Sequence, residues 1–289
     1  MSFPARLSGD ARLIGKRLDA ALEDRADQPV VDAMRYALRG GKRLRGFLVL
    51  ESARMLGVAE ARAVGVAAAV EAMHAYSLVH DDLPCMDDDD LRRGQPTVHR
   101  KWSEAVAVLA GDALQTLAFE LLCDPQIGLP EIRLDLVLGL ARASGAEGMV
   151  LGQALDIAAE TAMAPPTLDD VIALQAGKTG ALIRWSAKAG AVMAGTDTGP
   201  LERFATALGL AFQIADDILD VTGDAAVTGK RVNKDAAAGK ATFVSLLGLD
   251  GARARARDLV AEAESHLSCY GSAAENLIAA ARFAIARNV

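Results

Sequence analysis

Two runs of aspartate stand out: Asp81-Asp82-Leu83-Pro84-Cys85-Met86-Asp87-Asp88-Asp89-Asp90, and Asp216-Asp217-Ile218-Leu219-Asp220. Each ends or interrupts an apolar stretch with helical spacing. Carboxylates crowded beside such a face repel one another unless positive charge sits among them. Oxygen-only donors suit hard cations, and Mg²⁺ typically takes one or two carboxylates and completes its shell with substrate phosphates. Basic groups stand close by: Lys42 and Arg45 in Gly40-Gly41-Lys42-Arg43-Leu44-Arg45, then Arg92-Arg93, Lys178-Thr179, and the set Lys230, Arg231, Lys234 and Lys240. Lys and Arg take the phosphate oxygens that metals leave. The pattern implies a polyanion such as a diphosphate, bridged by metal ions.

The second cluster has regular helical spacing. Asp216 and Asp220 share a face, Phe212 and Leu219 share another, and Gln213 sits one turn before Asp216 and Asp217. A solvated acidic helix end remains open for this cluster taken alone, although it opposes the helix macrodipole. The first cluster is less regular. Asp81 and Asp87 are six apart, so a continuous helix would splay them by about 120°. Pro84 lies between them, without an N–H to donate, and a kink or bulge there is expected to bring Asp87 back toward Asp81. Upstream, Glu71, His74, Leu78 and Asp81 follow helical spacing. His74 lies two turns below Asp81 on one face, which argues for a functional histidine. Gly40-Gly41 reads as a loop opening a helix, with Lys42 and Arg45 on one face and free N–H groups to seat a phosphate. Gly177-Lys178-Thr179 is not a Walker A loop, because Ile172 stands where that motif needs glycine and no strand precedes it.

The elements that position these groups read as helices. Of the 289 residues 52% are hydrophobic and 4% aromatic, dominated by Ala, Leu, Val and Ile with little alternation. Interruptions are short, at Asp27-Gln28-Pro29, Gly40-Gly41, residues 124–130, Pro165-Pro166 and residues 195–200. Thr167 with Asp170 three residues on marks a helix start. No linker or solenoid repeat is evident, so the chain reads as one all-α domain, 1–289, of long, mostly antiparallel helices. A net charge of −7 argues against a nucleic-acid partner. No apolar run reaches the roughly 18–20 residues of a membrane span. With Asp10, Asp19 and Glu23, the N-terminal segment reads as a first amphipathic helix rather than a leader. Cys85, Cys123 and Cys269 are scattered, which suggests a reducing, cytoplasmic setting; Cys85 reads as a small filler. Diphosphate at one end of an aliphatic cavity describes a prenyl diphosphate.

Together these residues resemble the trans-isoprenyl diphosphate synthase family, most closely its bacterial farnesyl diphosphate synthases. The matching segments are GGKRLR at 40–45, HAYSLVHDDLPCMDDDDLRRG at 74–94, AGDALQ at 110–115, GMVLGQALD at 148–156, AGKTGAL at 176–182, GLAFQIADDILD at 209–220, and the Lys-rich loop through Lys230 and Lys240. Gly46 departs from the family's usual proline. The resemblance implies an all-α bundle around a central cavity, usually a homodimer. It implies that Asp81, Asp87 and Asp216 bind Mg²⁺, three ions bridged by the allylic diphosphate, with Asp82, Asp217 and Asp220 in support. Lys42, Arg45, His74 and Arg93 would hold isopentenyl diphosphate. Arg92, Lys178, Thr179, Gln213, Lys230 and Lys240 would surround the allylic diphosphate. Asp81, Asp82, Asp87, Lys178, Asp216 and Asp217 would carry the chemistry. An aromatic five before the first aspartate, Tyr76, beside the small Ser77, looks like the farnesyl (C15) pattern. The alternatives are C20 or C10 synthesis, a class I terpene cyclase, and a non-catalytic acidic helical subunit.

Overall fold

The computed structural model describes residues 2–160, 164–222 and 241–286, and the all-α expectation holds for them. Among the described residues β-structure is confined to a ribbon of two-residue strands, β1 (Leu91–Arg92) and β2 (Gln95–Pro96), with Leu91 opposite Pro96. The chain divides into two units, Met1–Leu138 with Ala189–Thr196, and Gly139–Lys188 with Asp197–Val289.

The first unit contains α1 (Phe3–Leu22), α2 (Pro29–Ala37), α3 (Leu44–Met55), α4 (Glu60–Asp81), α5 (Val98–Lys101), α6 (Glu104–Leu122) and the start of α7 (Pro130–Ser144). Helix α4 is its axis. It is rich in alanine, the best helix former, and its buried residues lie nearly all round it. A helix apolar on every side belongs in a core. Helices α1, α3 and α6 pack on it. Close packing uses missing side chains: a Cβ on Gly46 of α3 would stand 3.1 Å from the Ala67 carbonyl oxygen, and Gly111 of α6 leaves room for the His80 ring. An ionic clamp ties α1, α3 and α4. Arg54 is bidentate to Asp10 at 2.7 and 2.8 Å and reaches Glu51 at 2.5 Å and also Glu60, while Arg6 holds Glu51 at 2.7 Å. Asp10 and Glu51 are buried, so the clamp is costly to leave half made.

Two readings of the sequence need correction here. Helix α6 is long and apolar enough to cross a membrane by length and composition, although 44% of that window is buried inside the protein, where it packs on α4. Cys85, read as a filler, is exposed, as are Cys123 and Cys269.

The second unit contains the end of α7, then α8 (Met149–Glu160), α9 (Leu168–Gln175), a π-helical turn (Ala176–Gly180), α10 (Ala181–Ala194) up to Lys188, α11 (Gly199–Thr222), α12 (Phe243–His266) and α13 (Glu275–Ala286). As the spacing predicts, Thr167 opens α9 with a capping box: Asp170 N–H donates to Thr167 Oγ1, and Thr167 N–H to Asp170 Oδ2. Helix α11 is the core helix, burying Leu201, Phe204, Leu208, Ala211 and Ile214, and it packs on α12 and α13.

The last residues of α10 belong to the first unit, where Gly190 N–H donates to the buried Ser52 Oγ at 3.2 Å. A Cβ on Gly190 would fall 2.3 Å from the Ser52 carbonyl carbon, against backbone that cannot yield cheaply. Gly190→Ala should therefore cost about 3 kcal/mol, the upper end of ordinary overpacking. Urea unfolding should show a lowered midpoint with an unchanged slope.

Candidate active site

The first aspartate cluster is reached by ending α4, not by kinking it. Helix α4 stops at Asp81 with Asp82 as its C-cap. Pro84 cannot donate, and it biases Leu83 away from helical geometry. The chain then turns tightly. Leu83 N–H donates to His80 O at 3.1 Å, Met86 N–H to Leu83 O at 2.9 Å, and Asp87 N–H to Asp81 O at 2.8 Å. Asp87 thus returns to Asp81 through its backbone. Asp88 takes the left-handed conformation at φ 49°, which aspartate tolerates better than most residues.

Asp82 is buried at 3% exposure and grips Arg92. Arg92 Nε donates to both carboxylate oxygens at 2.8 and 2.9 Å, and Nη2 to Oδ1 at 2.5 Å. Burial pulls the Arg92 pKa down, but the hydrogen bonds and charge of Asp82, helped by Asp89 and Asp81, outweigh it and the net direction is up. Asp82, expected to support the metal ligands, and Arg92, expected beside the allylic diphosphate, are thus engaged with each other.

A basic seat lies on the same unit. Gly40, Gly41 and Arg43 all have positive φ (72°, 78° and 52°), and α3 starts directly after. Arg43 does not point to solvent: Nη1 donates to Ala11 O at 2.7 Å and Nη2 to Leu38 O at 2.8 Å, with the guanidinium lying on Gly15. Arg93, also left-handed at φ 53°, lies on Gly41 and donates to Arg39 O at 3.1 Å. A small pocket is lined by Gly40, Arg43, Glu71, His74 and Arg93, with Leu18, Leu38 and Leu78. Of the expected isopentenyl diphosphate ligands, His74 and Arg93 meet there. Arg45 is half-buried within electrostatic reach of Glu71, and Lys42 is exposed on the adjoining loop. Arg43 and Glu71 were missed. The signal for Glu71 was its helical register with His74 and Asp81.

Tyr76 is half-buried on α4, edge-on to His80 with centroids 5.0 Å apart. His80 Nε2 is 3.0 Å from Val108 O of α6. Burial, then the charges of Asp81 and Asp112, push the Tyr76 phenol up. Ser77 Oγ donates back to His74 O at 2.9 Å.

In the second unit, Gln213, Asp216, Asp217 and Asp220 ride on α11. Asp217 is buried, and its Oδ2 accepts Phe243 N–H at 2.7 Å, anchoring the start of α12. Asp216 is half-buried, and Asp220 Oδ2 is buried without a hydrogen-bond partner among the described residues. Lys178 projects from the π-helical turn, and its Nζ meets Asp156 Oδ2 of α8 at 2.7 Å. Thr179 beside it is buried. Helix α8 approaches so closely that a Cβ on Gly152 would stand 2.0 Å from Lys178 N. Single π-helical turns recur at functional sites. Gln153 Nε2 and Oε1 and Gln175 Oε1 are also buried without partners among the described residues, a mark of a polar site awaiting water or ligand. Asp156, Gln153 and Gln175 were not singled out from the sequence, although Gln153 and Asp156 lie three apart on one helix face. Lys230 and Lys240, with Arg231 and Lys234, lie outside the described residues.

No group of three or more His, Cys, Asp or Glu among the described residues forms a metal site unaided. Hard carboxylates, one of them with an orphaned oxygen at Asp220, fit Mg²⁺ whose shell is completed by phosphate oxygens.

The polyprenyl synthetase family model matches residues 27–276. The chain is 49% identical over 279 residues to the farnesyl diphosphate synthase of Escherichia coli (strain K12), covering 92% of each chain. It is 45% identical over 262 residues to the farnesyl diphosphate synthase of Haemophilus influenzae, covering 88% of each. A solved FPP/GFPP synthase from Zymomonas mobilis superimposes with a TM-score of 0.90 at 45% identity, covering 98% of both chains.

Asp82→Ala would leave the Arg92 guanidinium half-buried without its bidentate acceptor. Unfolding should become easier by about 3 kcal/mol, as for other broken buried pairs. Asp89→Ala, which removes a carboxylate 3.9 Å from Arg92, should cost far less in the same thermal or urea assay.

Proposed function

The chain belongs to the polyprenyl synthetase family, and from that premise we propose that it is a farnesyl diphosphate synthase. It joins isopentenyl diphosphate head-to-tail to dimethylallyl diphosphate, then to geranyl diphosphate, giving the C15 product. The observation that carries this reading is the pocket of Arg43, His74 and Arg93, an anion-binding seat built from residues other than those of the Lys178 group. A class I cyclase, which handles one diphosphate, has no use for it.

The allylic C–O bond breaks, the electron pair leaves with the diphosphate, and C1 becomes a carbocation. The isopentenyl double bond attacks C1, and a proton is lost to the released diphosphate. His74, Arg93, Arg45 and Lys42 hold the isopentenyl diphosphate. Lys178, Thr179, Gln213, Arg92, Lys230 and Lys240 take the allylic diphosphate. Asp81, Asp87 and Asp216 would hold Mg²⁺, with Asp82, Asp217 and Asp220 in support; when bound, the ions neutralise charge building on the leaving group. Asp156 orients the Lys178 ammonium, a preorganised cation that needs no reorganisation during the reaction. Aliphatic surroundings exclude water, which would quench the cation to an alcohol. Residues 1–289 are taken as a single synthase domain.

Tyr76 sets product length from below Asp81, about 7.5 Å down the helix axis. A longer product is the second reading, favoured by the FPP/GFPP synthase among the solved relatives. We also infer a homodimer in a cytoplasmic setting. Supporting the dimer, the first unit leaves Leu109 of α6 53% exposed and Leu134 of α7 66% exposed, and the second leaves Leu151 and Leu155 of α8 exposed. Covering such side chains with a partner surface would remove apolar area from water, which favours association.

Incubation with isopentenyl and dimethylallyl diphosphates plus Mg²⁺, followed by product sizing, tests the reading. C15 is expected. Hydrocarbon formed from the allylic diphosphate alone would indicate a cyclase, and tight Ca²⁺ binding with no diphosphate release an acidic subunit. Asp81→Ala and Asp216→Ala should each lower kcat by at least about 100-fold, the scale of a lost electrostatic catalytic group; wild-type turnover at saturating Mg²⁺ would refute the metal assignment. Tyr76→Ala should shift the product toward C20, read by chromatography of radiolabelled chains, whereas an unchanged C15 product would place the length control elsewhere.

A further inference from the structure

A carboxylate inside an anion pocket is unexpected, because it repels the ligand the pocket would hold. Glu71 is 8% exposed and lines the pocket together with Arg43, His74 and Arg93. Its Oε1 accepts Gly46 N–H at 2.8 Å, a buried bond from the first turn of α3 to the middle of α4. Burial pushes its pKa up, while the Gly46 N–H and the charges of Arg45, Arg43 and Arg93 oppose that.

Three guanidinium groups act on this one carboxylate: Arg43 and Arg93 line the pocket with it, and Arg45 lies within electrostatic reach. Two are fixed from behind. Arg43 is tied to Ala11 O and Leu38 O, and Arg93 to Arg39 O, and each lies against a glycine where a Cβ would collide with it. Both have left-handed backbones, a strained choice for arginine that surrounding contacts must maintain. Burial lowers the pKa of both, and the charge of Glu71 is the main one opposing it on each, with Asp19 of α1 also acting on Arg43. Without Glu71, like charges would face one another across a small, partly open pocket. The close approach at Gly46 makes this possible: a Cβ there would stand 3.2 Å from Glu71 Cγ and 2.6 Å from Ile14 Cδ1.

We propose that Glu71 is a positioning residue of the isopentenyl diphosphate seat, its carboxylate fixed by the Gly46 N–H and holding Arg43, Arg45 and Arg93 at the spacing a diphosphate requires. It acts through the arginines and does not touch the reacting atoms. This rests on the synthase reading above. It also departs from simple electrostatics, because removing a negative charge from an anion pocket should tighten anion binding, whereas losing a positioning group should weaken it.

The test is calorimetric titration of isopentenyl diphosphate, with no allylic substrate present, into the wild type and Glu71→Gln. The amide keeps an oxygen for Gly46 N–H and removes only the charge. We expect about tenfold weaker binding in Glu71→Gln, the scale of a hydrogen bond to a charged group. The KM for isopentenyl diphosphate should rise in step, while the KM for dimethylallyl diphosphate stays within about twofold of wild type. Glu71→Asp retains the charge and should recover part of the loss. Unchanged or tighter binding by a folded Glu71→Gln, checked by its melting curve, overturns the proposal. If Glu71→Gln does not fold, Glu71→Asp decides alone: isopentenyl diphosphate affinity equal to wild type overturns it, and a selective loss supports it. A wild type that neither binds isopentenyl diphosphate nor condenses it would fail the synthase reading instead.

Discussion

Like charges packed beside apolar helices govern this protein's local structure. Water cannot screen them well there, so each must find an opposite partner or cost several kcal/mol. Several of the described residues meet this requirement by pairing, among them Asp82 with Arg92, Lys178 with Asp156, and Asp10 with Arg54. The pairs also fix direction. A carboxylate held bidentate by arginine aims the arginine, and an ammonium on a carboxylate aims the ammonium. Residues assigned to metal or phosphate by their type alone therefore include some whose immediate work is to hold a neighbour.

Such pairing requires helices closer than ordinary side chains permit, and glycine supplies the approach. Gly152 lets α8 press against the turn carrying Lys178, which brings Asp156 within 2.7 Å of Nζ. Gly41 and Gly15 leave room for Arg93 and Arg43. Where the main chain must double back, at Gly40-Gly41 and after Asp81, it does so with left-handed residues or with a proline that ends the helix. Strain collects there, and packing on the α4 axis holds it in place.

Much of the helical architecture was legible in the sequence. Alanine-rich periodic stretches, short interruptions and the Thr167 cap all correspond to observed elements. The second cluster was legible to the level of faces, because helix geometry is regular and Asp216, Asp217 and Asp220 lie inside one helix. The first was legible only in part. The sequence shows that Pro84 disturbs the helix, but a kink and a terminus both satisfy that, and the choice depends on hydrogen bonds such as Asp87 N–H to Asp81 O. Pairings across helices were least legible. Nothing local in Gly46 or Glu71 announces that they meet, because they do so only once α3 lies against α4. The same holds for Asp156 and Lys178, brought together by a glycine contact with no charge pattern of its own. The apolar length of α6 was underread, because scattered polar residues interrupt its run, and by length and composition core helices and membrane helices meet the same criterion.

Asp217 shows why residue type and residue work diverge. On sequence it is one more carboxylate of a metal-type cluster. In the fold its Oδ2 accepts the Phe243 N–H, and a negative charge at the start of α12 is favoured by the helix dipole as well as by the bond. That contact fastens the helix following residues 223–240 directly to the cluster preceding them. A carboxylate spent in this way is less available as a primary ligand, yet it restricts how its neighbours can move. Asp216 and Asp220, a turn apart on the same helix, inherit an orientation set partly by a bond neither makes. The acidic cluster is thus three positions with unequal duties, of which the buried one holds the frame that lets the others act.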